Sequence, residues 1–267
     1  MTVALAVRGA TKRFGAVLAL DNVDLEVHSG EVLALLGDNG AGKSTLIKCI
    51  SGVHRLDAGE IEIGGAPVTL SSPAAARAHG IETVYQDLAL FDNLDPAANF
   101  YAGREHAGPK WLPRPLRVLR RQAMQHATTE VLDRLQVTLP DGAANVGLMS
   151  GGQRQVIAVA RAAAFASKVV ILDEPTAALG VRESRRVLDL ILRLRSEGHA
   201  VIVISHAMDH VTEVADRAMV MRRGRVVGEE IPSPESQGRI VALIVGSASE
   251  FADLPHNRTS PHGPTTV

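Results

Sequence analysis

A single cysteine, Cys49, stands among 267 residues. With no intrachain partner it excludes a disulfide framework, and a small buried apolar residue in a reducing compartment is expected. An excess of one charge is equally lacking: 28 Lys and Arg against 29 Asp and Glu leave a net charge of −1 and a pI near 6.8. Such a balance exerts no general pull on nucleic acid or acidic lipid. No apolar run reaches the ~18 residues a membrane helix needs, and Met1-Thr2-Val3 opens no basic-then-apolar leader. Work at a membrane would require docking on a separate protein. No internal repeat is visible. What is abundant is core material: 46% of residues are hydrophobic and 21% charged, over a length that suits one domain with an inserted or appended piece.

Residues 37–45 read Gly37-Asp38-Asn39-Gly40-Ala41-Gly42-Lys43-Ser44-Thr45, which fits G-x-x-x-x-G-K-[ST]. The preceding Val32-Leu33-Ala34-Leu35-Leu36 reads as a buried strand. A loop that wraps phosphate must aim backbone N–H groups inward, and glycines at 37, 40 and 42 permit angles and an approach that a Cβ would block. Lys43 supplies positive charge and Ser44 a hydroxyl for Mg²⁺. The helix starting there turns its positive end to the phosphates. A glycine turn that binds nothing would not demand the Lys-Ser pair.

Two further patterns agree. Val169-Val170-Ile171-Leu172 delivers Asp173 to the carboxyl end of a strand, with Glu174 next. Asp173 is suited to holding Mg²⁺ through water, and Glu174 to deprotonating the water that attacks a γ-phosphate. The plain alternative is a pair of acids closing a strand before Pro175. Ser150-Gly151-Gly152-Gln153 precedes the apolar Val156-Ile157-Ala158-Val159-Ala160. It is a capping box, sufficient in itself to start a helix, and its glycine-lined first turn also exposes N–H groups to an anion brought by another subunit.

Taken together, roughly residues 4 to 246 resemble an ATP-binding cassette (ABC) nucleotide-binding domain. The resemblance implies an α/β fold: a P-loop NTPase (RecA-like) core with a parallel sheet, a small antiparallel β layer and an inserted helical subdomain at about 87–166. It implies ATP and Mg²⁺ as ligands, ATP hydrolysis, and a homodimer in the ATP-bound state, because the Ser150–Gln153 signature of one domain completes the site of the other. Gln86 matches the loop glutamine that touches Mg²⁺ and the attacking water and senses the membrane partner. His206 matches the switch histidine on the γ-phosphate. Phe14 stands where the family places a ring against adenine, a position equally open to a core residue.

Two departures mark the chain. Met149 replaces the usual leucine before the signature, a swap of similar volume. After Glu174-Pro175-Thr176, Ala177-Ala178-Leu179-Gly180 lacks the carboxylate the family commonly carries at 180. This segment, with residues 37–48 and 84–90, is similar to bacterial monosaccharide importers of the ribose, xylose and fructose type. The resemblance therefore implies integral membrane permease subunits as partners, an indirect periplasmic or extracellular sugar-binding protein, no nucleic acid, and a peripheral place on the cytoplasmic face of the inner membrane. The apolar residues 87–94 would receive a short helix of the permease. The alternatives are import of a non-sugar solute, a soluble ABC ATPase acting on ribosomes or nucleic acid, and a regulatory cassette that binds ATP without turnover.

Along the chain, strands are expected near 5–7, 17–20, 24–27 and 61–63, with a hairpin turn at Gly64-Gly65. Strand signals vanish from 87 to 166, where 122–135 reads as helix, and return at 169–172, 200–204 and 218–221 around a helix at 182–195. Residues 247–267 are rich in Ser, Pro, His and Thr and are expected to be a disordered tail. His206 and His210 have a zinc-compatible spacing but no third ligand suitably placed. Lys110, Arg114, Arg117, Arg120 and Arg121 around Trp111 are read as a solvated basic surface rather than a contact for RNA, lipid or a partner.

Overall fold

The computed structural model describes residues 2–108, 111, 113, 118–139, 142 and 144–246. The tail at 247–267 lies outside these, as do Lys110, Arg114 and Arg117 of the basic segment.

Two β layers organise the molecule. Strands β1 (Val3–Phe14), β2 (Val17–His28), β4 (Ala58–Ile63) and β5 (Ala66–Val68) form an antiparallel sheet in the order β2-β1-β4-β5. Val23, Leu25 and Val27 alternate inward along β2, as one buried face requires. The first two strands are longer than the short runs expected from sequence, because cross-strand pairing extends each through its polar residues.

The second sheet contains β3 (Val32–Gly37), β6 (Ile81–Val84), β9 (Val169–Asp173), β10 (Ala200–Ile204), β11 (Arg217–Arg222) and β12 (Arg225–Glu230), ordered β12-β11-β3-β10-β9-β6. β6, β9, β10, β3 and β11 run parallel. The expectation of a parallel core is met there, and β12 adds an antiparallel edge. Arg223 and Gly224, both with positive φ, make the tight hairpin that returns the chain.

Central strands are apolar at every position because both faces are covered. Leu33, Leu35, Ile171 and Ile202 face the antiparallel layer together with α1 (Lys43–Ile50). Val32, Val170, Leu172, Val201 and Val203 face α5 (Gly151–Phe165) and α6 (Val181–Ser196), whose Ile157, Val159 and Ile191 complete that core.

Between β6 and α5 lie α3 (Pro96–Phe100) and α4 (Arg121–Arg134), following the short α2 (Pro73–Ala78) earlier in the chain. This stretch is not free of strand: β7 (Ala107–Gly108) pairs antiparallel with β8 (Val118–Leu119). Two-residue strands are too short to carry a periodic signal. α7 (Met208–Val214) and α8 (Gln237–Val245) pack near β11 and complete the described chain.

Candidate nucleotide site

The loop at 38–42 leaves β3 and enters α1. Gly37, Gly40 and Gly42 adopt φ of 144, 78 and 105°. At Gly37 the space is taken as well: a Cβ would sit 2.2 Å from the Met221 carbonyl oxygen of β11. The Lys43 side chain folds back over the loop, its Nζ donating to the carbonyls of Gly37 at 2.6 Å and Asp38 at 3.1 Å. Burial pushes the Lys43 pKa down, opposed by Glu174, Asp173 and Asp38. No side chain caps the start of α1, which leaves its amides free for an anion. Ser44 is exposed and Thr45 half-buried beside it; Asp38 and Asn39 are exposed and Ala41 is buried.

β9 ends in Asp173, and Glu174 follows with its N–H donated to Ile204 O at 2.9 Å. Glu174 holds φ +52°, a left-handed conformation that non-glycine residues seldom adopt. Its Oε1 is buried without an aligned hydrogen bond and lies 3.2 Å from His206 Nε2. Burial raises both carboxyl pKa values. Lys43 is the largest opposing influence at Asp173, and His206 at Glu174. β3, β10, β9 and β6 are neighbours. Their carboxyl ends therefore bring Lys43 and Ser44, His206, Asp173 and Glu174, and Gln86 to one edge of the sheet. Ligands of open α/β sheets bind along such an edge.

Residues 20–177 match the protein family described as ABC transporter. The chain belongs to the ABC transporter family. It is 50% identical to the fructose import ATP-binding protein of Rhizobium meliloti, an alignment covering 91% of this chain and 94% of that one. Identity to the xylose/arabinose import ATP-binding protein of Sulfolobus acidocaldarius is 46%, over 95% and 98% of the two chains. The chain spans half the length of a ribose import ATP-binding protein of Rubrobacter xylanophilus, to which it is 43% identical over 96% of its own length. A crystal structure of a nucleotide-free ATP-binding cassette from an ABC transporter superposes with a TM-score of 0.77 at 25% identity, covering 90% of this chain and 98% of that one. The α/β fold, the ATP site and ATP hydrolysis of this chain are those of an ABC ATPase.

In this ABC chain the signature forms the capping box read from sequence. Gln153 N donates to Ser150 Oγ at 3.3 Å, and Ser150 N to Gln153 Oε1 at 2.8 Å. Gly151 is exposed and Gly152 buried. Among the described residues no hydrogen bond or ion pair joins Ser150–Gln153 to the loop at 37–45; within one chain the structure does not bring them together. Phe14, at the end of β1, is 43% exposed, edge-on to His54 at 5.2 Å with Lys12 Nζ 5.6 Å from its ring. His210 Nδ1 lies 3.0 Å from Thr176 Oγ1, apart from the contact His206 makes.

Gln86 is exposed just beyond β6, and the segment after it is clamped by residues that sequence reasoning passed over. Arg161 of α5 donates to the carbonyls of Leu88 and Ala89, both at 3.0 Å. Arg154 pairs with Asp92 at 2.6 Å. Fully buried Asn99 accepts from Phe91 N at 2.7 Å and donates to Phe91 O and Leu94 O. The available signal was Arg161 itself, a lone cation within the apolar run Val156–Phe165 of α5.

Proposed function

We propose that this chain is the ATP-hydrolysing subunit of an importer for a monosaccharide, working as a homodimer on integral membrane permease subunits at the cytoplasmic face of the membrane. The reading rests chiefly on the shared edge of β3, β10, β9 and β6, where cation, acids, histidine and glutamine converge. Its similarity to a fructose import and a xylose/arabinose import ATP-binding protein supports a sugar as cargo.

The site fits a triphosphate. Gly37 leaves no room for a Cβ, the amides of α1 are uncapped, and the Lys43 ammonium lies over the loop, held by the carbonyls of Gly37 and Asp38. In this reading the backbone of Gly37, Asp38, Asn39, Gly40, Ala41, Gly42, Lys43, Ser44 and Thr45 cradles the phosphates, and Phe14 offers its exposed ring to the base. Ser44, Gln86 and Asp173 form an oxygen-only donor set that suits Mg²⁺. Held there, Mg²⁺ would supply positive charge to offset the negative charge of the phosphates. Glu174 takes the proton of the attacking water, its Oε1 engaged in no aligned hydrogen bond. His206 orients against Glu174 and donates toward the γ-phosphate. Ser150, Gly151, Gly152 and Gln153 present the positive start of α5 to the nucleotide of the partner chain.

Closure and separation of the two chains are the mechanical output. The γ-phosphate drives them because only the closed pair contacts it from both sides. Residues 87–94, clamped by Arg161, Arg154 and Asn99, carry that change to the permease. Residues 1–246 are read as one nucleotide-binding domain with a helical subdomain at about 87–166, and sugar selection belongs to the permease and an outside binding protein. The test is ATPase stimulation in vesicles holding the permease and a panel of sugar-loaded binding proteins. Stimulation by one or more sugars supports import; co-sedimentation with ribosomes and no stimulation would overturn it.

A further inference from the structure

The segment 177–180 carries no acid, yet a carboxylate returns three residues later. Glu183 lies in the first turn of α6, and its side chain is laid against the first turn of α5. A Cβ built on Gly152 would fall 2.6 Å from Glu183 Cβ, 2.1 Å from its Cγ and 3.6 Å from its carboxyl carbon, and one built on Gly180 would fall 2.7 Å from Glu183 Oε2. The stem therefore occupies the place of a side chain at the second signature glycine. The carboxylate sits beside two helix N-termini, that of α6 and that of α5. A negative charge there is stabilised by both dipoles. It also repels any other anion approaching the start of α5, and in the function proposed above that anion is the γ-phosphate held by the partner chain.

We infer that Glu183 is a built-in repulsive charge that weakens the ATP-bound pair and hastens its separation. The inference rests on the proposed two-chain site. Its carboxylate opposes signature–phosphate contact before hydrolysis and keeps the closed state from becoming a trap, so the pair reopens readily once the γ-phosphate is released. The Ala-Ala-Leu-Gly segment then loses no charge from this region; the charge has moved onto α6 and acts on the signature of its own chain.

The experiment compares the dimer dissociation constant, by analytical ultracentrifugation with saturating Mg-ATP, in the hydrolysis-blocked Glu174→Gln chain with and without Glu183→Gln. The glutamine keeps the stem on Gly152 and removes only the charge. A helix-end charge of this kind corresponds to about threefold per site, hence roughly tenfold for two sites. The doubly substituted chain is expected to dimerise about that much more tightly at low salt. The gap should close near 1 M salt, where the screening length falls to about 3 Å. In the otherwise native chain, Glu183→Gln should slow dimer separation after ATP is consumed. An equal or weaker dimer at low salt, or a difference indifferent to salt, overturns the inference and reduces Glu183 to a cap for α6, a role visible as a lowered Tm without any change in dimerisation. If Glu174→Gln alone stays monomeric with ATP and permease, the two-chain reading itself fails and this inference falls with it.

Discussion

His206 Nε2 stands 3.2 Å from Glu174 Oε1, although 32 positions separate them in the chain. The contact exists because β9 and β10 are parallel neighbours, with Asp173 registered on Ile204, so Glu174, the first residue past β9, meets His206, the second past β10. The pair joins a carboxylate whose proton affinity is raised by burial to the cation source that lowers it.

Glu174→Gln should abolish steady-state phosphate release by about 10²–10⁴-fold, the usual contribution of a general base, while ATP binding persists. Phosphate release and nucleotide affinity measured on the same preparation separate the two. Unchanged turnover would remove Glu174 from the chemistry.

The pH profile follows from the same pair. A base must be deprotonated to act, and burial raises the Glu174 carboxyl, so kcat should fall with decreasing pH at a point above the ordinary glutamate value of about 4.3. Asp173, raised for the same reason, adds to this acid limb. His206→Ala removes the largest influence holding Glu174 down, so the limb should move to higher pH as the rate drops. A limb that stays in place would mean that His206 exerts no field on the carboxylate.

Gly37 and Gly40 separate crowding from backbone preference. Gly40→Ala meets nothing within 4 Å and carries only the left-handed penalty, about 1–2 kcal/mol. Gly37→Ala drives a Cβ to 2.2 Å from Met221 O and should destabilise by on the order of 3–4 kcal/mol. Urea unfolding of both variants checks the order.

Arg161→Ala should release the carbonyls of Leu88 and Ala89. The isolated chain should keep its ATPase rate and lose about 1 kcal/mol of stability, while stimulation by the permease is lost. If stimulation survives, the clamp on 87–94 plays no part in coupling.

Much of the candidate site was legible because its residue patterns are local. Gly37 through Thr45, the Asp173-Glu174 pair and the Ser150–Gln153 cap each fit within a few residues, where spacing alone dictates what the backbone can do. The strands of the main sheet were legible for the same reason: burial on both faces makes them continuous apolar runs. β7 and β8 were not, being too short for a period, and the antiparallel return of β12 depended on a turn at Arg223-Gly224 that its polar composition did not announce.

By itself the sequence determined which groups are available: a loop free of Cβ crowding, a lysine, two acids, a histidine and a capped glycine-rich helix start, together with the family resemblance they carry. Only the tertiary structure decided who meets whom. Strand order is a property of distant hydrogen bonding, so the contact of His206 with Glu174, the clamp of Arg161 on Leu88 and Ala89, and the seat of Glu183 on Gly152 appear only when β6, β9, β10, α5 and α6 are packed side by side.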